Sequence, residues 1–278
     1  MSGRLREIAR HTVTITESGR YRNDIGDEVV IADAVRAAVS GTRHHLPDER
    51  ITLAHRQAGA RTVEVTDEST LLAARRLGPG AAALVFASAK NPGGGFLSGA
   101  QAQEESIARS SALYACLRAA PDFYAFHRAQ RDLRYSDRVV YSPDVPVFRD
   151  DNGNLLDQPY TTSLLTAAAP NLGAIVRTQP EHAADVPAVL ARRARRILEV
   201  AAAHGHRGLV LGAWGCGLFR NDPATVADAF THALNAVAHF DHVVFAIHDN
   251  LPGTPVHTAF AQRFSPTTDE RTSGEPRD

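Results

Sequence analysis

The chain has 278 residues, 44% hydrophobic and 22% charged, an ordinary globular balance that excludes a wholly disordered or fibrous protein. Its 30 Lys and Arg against 31 Asp and Glu leave a net charge of −1, so no bulk charge draws it to DNA or to an anionic membrane. Two cysteines exclude a disulfide-rich scaffold, and the polar start lacks the apolar segment of a signal peptide, so a soluble, cytoplasmic, monomeric chain is the default expectation.

Residues 2–15 place Leu5, Ile8, Ala9 and Val13 close to a 3.6-residue period, which predicts a helix. A short apolar run at 29–31 leads into a helix at 32–39, and His44, His45, Pro47 and Asp48 predict a loop. Residues 1–50 are expected to be an N-terminal extension packed on a main domain at 51–265, with a disordered tail at 266–278. From residue 51, strands alternate with helices. The predicted strands are 62–65, 82–87, 138–141, 145–148, 163–168, 208–212 and 243–247. The predicted helices are 71–77, 106–119, 186–204 and one opening at Asp222, a good N-cap followed by Pro223. Arg192, Arg193, Arg195 and Arg196 are expected on a solvated helix face, the alternative being that they track the phosphates of a polymer. The alternation predicts an α/β fold with a mixed central sheet between helices, whose ligands would lie beyond the carboxyl ends of strands.

Two glycine-rich loops occupy such positions. Asn91-Pro92-Gly93-Gly94-Gly95-Phe96 follows the strand at 82–87 and precedes a helix. Gly212-Ala213-Trp214-Gly215-Cys216-Gly217-Leu218-Phe219 follows the strand at 208–212. Glycine triplets carry an entropic cost that makes sense where backbone approaches a ligand. Amides around residues 215–218 could form an anion-binding nest, with Trp214 and Phe219 as aromatic neighbours. Neither loop is a phosphate-binding Gly-Lys-Ser/Thr loop or a GxGxxG turn. After seven intervening residues, 96–102, come Gln103, Glu104 and Glu105, with two carboxylates at a helix start. Such acids can simply complement the helix dipole, but beside a flexible cradle they form a site.

Residues 91–106, followed by Ser110-Ser111-Ala112-Leu113-Tyr114, resemble the signature of bacterial-type poly(ADP-ribose) glycohydrolases. The second loop with Asn221, Asp222 and Pro223 is similar to that family's diphosphate-binding loop, and the resemblance extends over most of residues 28–262. It implies a macrodomain fold and hydrolysis of ribose–ribose bonds in poly(ADP-ribose), with poly(ADP-ribose) or ADP-ribosylated protein as partner and no metal or cofactor. It implies Glu105 as the catalytic acid/base and Glu104 as holder of ribose hydroxyls. Gly93, Gly94 and Gly95 would pack on the distal ribose and diphosphate. Gly215, Cys216, Gly217 and Leu218 would bind the diphosphate, and Phe219 would lie against the ribose–adenine end. Gln103 joins the substrate-binding set.

Adjacent glutamates cannot flank one bond from opposite sides, so a single residue serving as acid and then base suits the pair. Asp67 follows a strand and is a candidate for the adenine amino group or for a helix cap. Cys216 could be a nucleophile, with His248-Asp249 after the last strand, or merely a small residue in a tight turn. Cys116 is expected to be packed in a helix. The competing functions are a mono-ADP-ribosyl or ADP-ribose-ester hydrolase, and a non-catalytic ADP-ribose reader. The Gln-Glu-Glu run argues against the reader, because binding alone does not need it.

Overall fold

The computed structural model of the protein describes residues 2–53 and 60–264. The tail expected to be disordered, 266–278, lies outside the described residues. In chain order the elements are α1 (Ser2–Ser18), β1 (Arg20–Arg22), β2 (Glu28–Val30), α2 (Ala32–Gly41), β3 (Arg43–His45), β4 (Thr62–Thr66), α3 (Thr70–Leu77) and β5 (Ala81–Phe86). Then come α4 (Gln103–Ser110), α5 (Leu113–Arg118), α6 (Pro121–Ala129), β6 (Val139–Arg149), β7 (Leu155–Ala167) and α7 (Leu172–Thr178). The last are α8 (Val186–Ala203), β8 (Gly208–Leu211), α9 (Pro223–Ala236), β9 (His242–Ala246) and α10 (Pro255–Phe264).

Seven strands form one mixed sheet in the order β3-β6-β7-β5-β8-β9-β4. The β7-β5-β8-β9-β4 portion is parallel, and β3-β6-β7 is antiparallel. Because side chains alternate across a strand, β5 sends Ala82 and Leu84 to one face and Ala83 and Val85 to the other, all buried. The first face packs on α8, α9 and α10 through residues such as Leu190, Ile197, Phe230 and Phe260. The second packs on α2, α3, α5 and α6 through Val35, Leu71, Leu117 and Phe123. Burial on both faces is why the parallel strands read as continuous apolar runs.

Several local expectations are corrected. The loop read at His44 and His45 is the short edge strand β3, held by antiparallel pairing with β6. The strands read at 138–141 and 145–148 are one strand, β6, with a register shift between Ser142 and Val145. The helix read at 106–119 starts earlier and breaks at Ser111, which bridges Val147 of β6. On α8, Arg192 and Arg195 are exposed, but Arg193 and Arg196 are not. Arg193 pairs with Asp137 at 2.9 Å and donates to the Ala168 carbonyl at 2.6 Å. Arg196 donates to the carbonyls of Glu49 and Leu46. These two cations tie chain segments together beneath the surface. Asp222 caps α9 by accepting from the Thr225 N–H at 2.8 Å, with Pro223 in the first turn.

Candidate active site

The parallel strands β5, β8 and β9 all point their carboxyl ends at one cavity of about 1130 Å³. Both glycine loops border it, as do Gln103, Glu104 and Glu105 at the start of α4. No residue of 2–53 lines it, so the N-terminal segment does not form its wall. Instead α1 packs behind the first loop, where Ala9 joins a small cluster with Phe96 and Ala108.

The first loop is folded back onto the three residues that open α4. Gln103 Oε1 accepts from the Phe86 N–H at 2.9 Å, and its Nε2 donates to the Leu84 carbonyl at 2.7 Å and to Thr70 Oγ1 at 3.0 Å. Its amide is thereby committed to the protein and pins α4 to the end of β5. Glu104 Oε2 accepts from the Ser88 N–H at 2.6 Å, and Glu105 Oε1 accepts from the Gly95 N–H at 2.9 Å. Gly94 stands between the two acids. A Cβ there would collide with Glu105 Oε1 and lie 3.1 Å from Glu104 Oε2, and its φ of +58° belongs to the left-handed region. Gly95 borders the cavity as well, whereas Gly93 is buried behind it, against Phe96 and Ala108.

The two carboxyl groups differ in surroundings. Glu104 is 2% exposed, and burial pushes its carboxyl well above the ordinary range, with the Glu105 charge adding to the rise. The amides of Ser88 and Gly93 oppose that shift and do not outweigh it. Glu105 is only partly buried, and its Oε2 makes no hydrogen bond among the described residues. Arg109, buried on the same helix, donates to the Ala100 carbonyl at 2.6 Å and to Ser106 Oγ at 3.2 Å. It thereby braces the segment that carries Glu105. Sequence reasoning missed it, although it lies four residues after Glu105, the spacing that brings side chains to one helix face.

The second loop is fixed from behind. Trp214, 1% exposed, donates Nε1–H to the Ala167 carbonyl at 3.0 Å. Buried Asn221 donates its N–H to the Gly215 carbonyl at 3.0 Å and its side chain to the Pro170 carbonyl at 2.9 Å. Gly215 has φ +77°, and a Cβ there would meet Asn221 and come within 2.6 Å of Ala169. Cys216 N–H is used inside the loop by the Ala213 carbonyl. Among the described residues, the N–H groups of Gly215, Gly217, Leu218 and Phe219 make no hydrogen bond. That leaves a set of amides for an anion on the cavity wall. Leu218 is 90% exposed at the mouth.

Phe219 and Tyr135 both line the cavity, their rings tilted against each other with centroids 6.1 Å apart. Tyr135 was not singled out from the sequence. Its φ of +58° lies in the left-handed region, which is unusual for a bulky side chain. Asp67 sits beyond β4 at the rim rather than on the wall, paired with His248 Nδ1 at 2.8 Å. The cap of α3 is Ser69, not Asp67. Cys216 lines the cavity, but burial pushes its thiol up to about 12, and His248 is engaged with Asp67. A thiol so protonated has little nucleophile character. Cys116 is fully buried in α5. The described residues contain no cluster of three or more potential metal ligands, and no described helix is long and apolar enough to cross a membrane.

Residues 9–150 match the family described as microbial-type PARG, catalytic domain. The structure is similar to that of a poly(ADP-ribose) glycohydrolase from Thermomonospora curvata, at 52% identity and TM-score 0.87, covering 94% of this chain and 100% of that one. A structure of the same enzyme bound to the inhibitor ADP-HPD matches at TM-score 0.84 with the same identity and coverage. A poly(ADP-ribose) glycohydrolase from Deinococcus radiodurans in complex with ADP-ribose is 45% identical, TM-score 0.78, covering 85% of this chain and 99% of that one. Comparison with curated protein sequences finds no match.

Proposed function

Since the chain belongs to the microbial-type PARG catalytic-domain family, we propose that it is a glycosidase that hydrolyses the ribose–ribose O-glycosidic bonds of poly(ADP-ribose), releasing ADP-ribose. One observation carries the reading. Glu105 has one carboxylate oxygen fixed by the Gly95 N–H and the other unengaged, in a cavity whose opposite loop offers unengaged amides. Such a site holds an anionic, sugar-bearing ligand against a single acid.

The chemistry follows from the placement of the pair. Glycosidases with two opposed carboxylates need them on both sides of the bond. Here both acids sit on one turn of α4 and grip the same loop, so they reach the bond from one side. Glu105 therefore serves twice. It protonates the leaving ribose oxygen as an oxocarbenium-like centre develops, and as carboxylate it then takes a proton from the attacking water. The substrate's own diphosphate, held by residues 215–218, stabilises the cation. Glu104 lies deepest, and burial favours its neutral form. A neutral carboxyl donates as well as accepts, which suits the hydroxyls of a ribose. Gln103 holds the start of α4 rather than the ligand, since its amide is already satisfied.

Cleavage from the chain end is supported by the Phe219–Tyr135 ring pair, which lines the cavity and in this reading meets the adenosine end. In this reading Asp67, at the rim beside His248, meets the adenine edge. The test is release of ADP-ribose from purified polymer by wild type and Glu105→Gln, with ADP-ribose binding measured in both. Release by the wild type alone, with binding kept in the variant, is expected. Binding without release by the wild type would reduce the protein to a reader. Short oligomers among early products, rather than ADP-ribose alone, would overturn chain-end cleavage.

A further inference from the structure

Lys90 is the only lysine among the 30 basic residues of the chain. It is exposed, directly precedes the first loop and lines the cavity. No arginine lines that cavity among the described residues. Its wall instead carries the carboxyl groups of Glu68, Glu104, Glu105, Asp151 and Asp249. Among the described residues, Lys90 is thus the one permanently charged cation on an acidic wall. Its ammonium makes no ion pair or hydrogen bond among the described residues, while its backbone is fixed. The Lys90 carbonyl accepts from Arg128 at 2.8 Å, and the next N–H, of Asn91, donates to Ser88 Oγ at 3.2 Å.

The proposed substrate brings two phosphate charges with every unit. The amides of residues 215–218 serve one diphosphate on the β8 side. Among the described residues of the wall, no other permanently charged cation serves a second. Lys90 stands on the other side, next to the loop whose Gly95 holds Glu105, and so on the side where the scissile bond lies. Resting on the glycohydrolase reading, we propose that Lys90 takes the diphosphate of the ADP-ribose unit beyond the scissile bond and so makes the enzyme prefer polymer to free ADP-ribose. Lysine suits this place better than arginine. A guanidinium would dock bidentately on the neighbouring carboxylates, whereas a compact ammonium on a flexible stem stays available to a passing phosphate.

The test compares wild type and Lys90→Gln in three measurements: steady-state polymer hydrolysis at low and high salt, polymer binding without turnover, and ADP-ribose binding. Expected for the variant is a KM for polymer raised about fivefold at low salt, with kcat and ADP-ribose affinity unchanged. The difference should shrink at high salt, because screening removes the advantage of the lost charge. Equal losses of polymer and ADP-ribose affinity would overturn the assignment by moving Lys90 to the terminal unit. Unchanged polymer affinity at low salt would overturn it as well. A wild type that releases no ADP-ribose would sink the glycohydrolase reading instead, and the polymer affinities of the two proteins would still decide the role of Lys90.

Discussion

The two glycine loops have similar composition and equivalent places in the sheet, yet they use their backbone amides in opposite ways. In the first, the Gly95 N–H is taken by the side chain of Glu105, and the Ser88 N–H just before the loop by that of Glu104. In the second, anchoring comes from behind, through Trp214 and Asn221, and four amides are left without partners among the described residues. A glycine loop whose amides are consumed by nearby acids positions those acids. One whose amides are spared can receive an anion. Composition alone does not separate the two. What separates them is which side chains return to the loop.

The sharpest way to break this contrast is Gly94→Ala. Its Cβ would displace Glu105, and its backbone would be strained by about 1–2 kcal/mol. Turnover of polymer should fall about a hundredfold through loss of alignment. Turnover within a few-fold of wild type would mean that Glu105 is not set by this loop. Next comes Gly215→Ala, which presses on Asn221 and Ala169 and should tilt the spared amides away from the ligand. ADP-ribose affinity should weaken roughly tenfold, since hydrogen bonds to a charged group are the strong kind. An unchanged calorimetric Kd would remove this loop from the anion site.

A smaller effect concerns pH. Burial raises Glu104 in the folded state, so the stability it contributes is complete below its ordinary value of 4.5 and is lost as pH rises through the folded value. Relative to Glu104→Gln, the denaturation midpoint of the wild type should therefore decline with rising pH above 4.5; the difference between the two profiles isolates Glu104 from the histidines that burial lowers, His127 and His204 among them, whose contribution both proteins share. Parallel profiles would place the titration elsewhere. The smallest effect is expected for Cys216→Ser. With the thiol held protonated, turnover should stay within about twofold. A loss of several orders of magnitude would revive the nucleophile.

Much of this arrangement was legible in the sequence where burial dictates pattern. The doubly buried β5, β8 and β9 showed as apolar runs, and α9 was marked by Asp222 and Pro223. Legibility failed where long-range partners decide. Arg43–His45 has no apolar pattern, and only the facing strand β6 makes it β3. Ser111 interrupts a helical period because β6 captures it. Arg193 and Arg196 look solvated until Asp137 and the carbonyls at 46 and 49 are brought to them. Within the site, the Gln-Glu-Glu run and both loops were readable as motifs. Tyr135 left no signal, because its part depends on a backbone conformation set by the surrounding fold.

The grip of Glu105 on the Gly95 amide bears on how a substrate complex should be trapped. An inactive protein made by truncating this side chain loses its proton donor and also the acceptor that holds the glycine loop in place. Glutamine keeps an acceptor oxygen at the same reach, so the loop stays tethered while the chemistry stops. A trapped polymer end seen in the truncated form would report a relaxed pocket, whereas the amide form would report the working one.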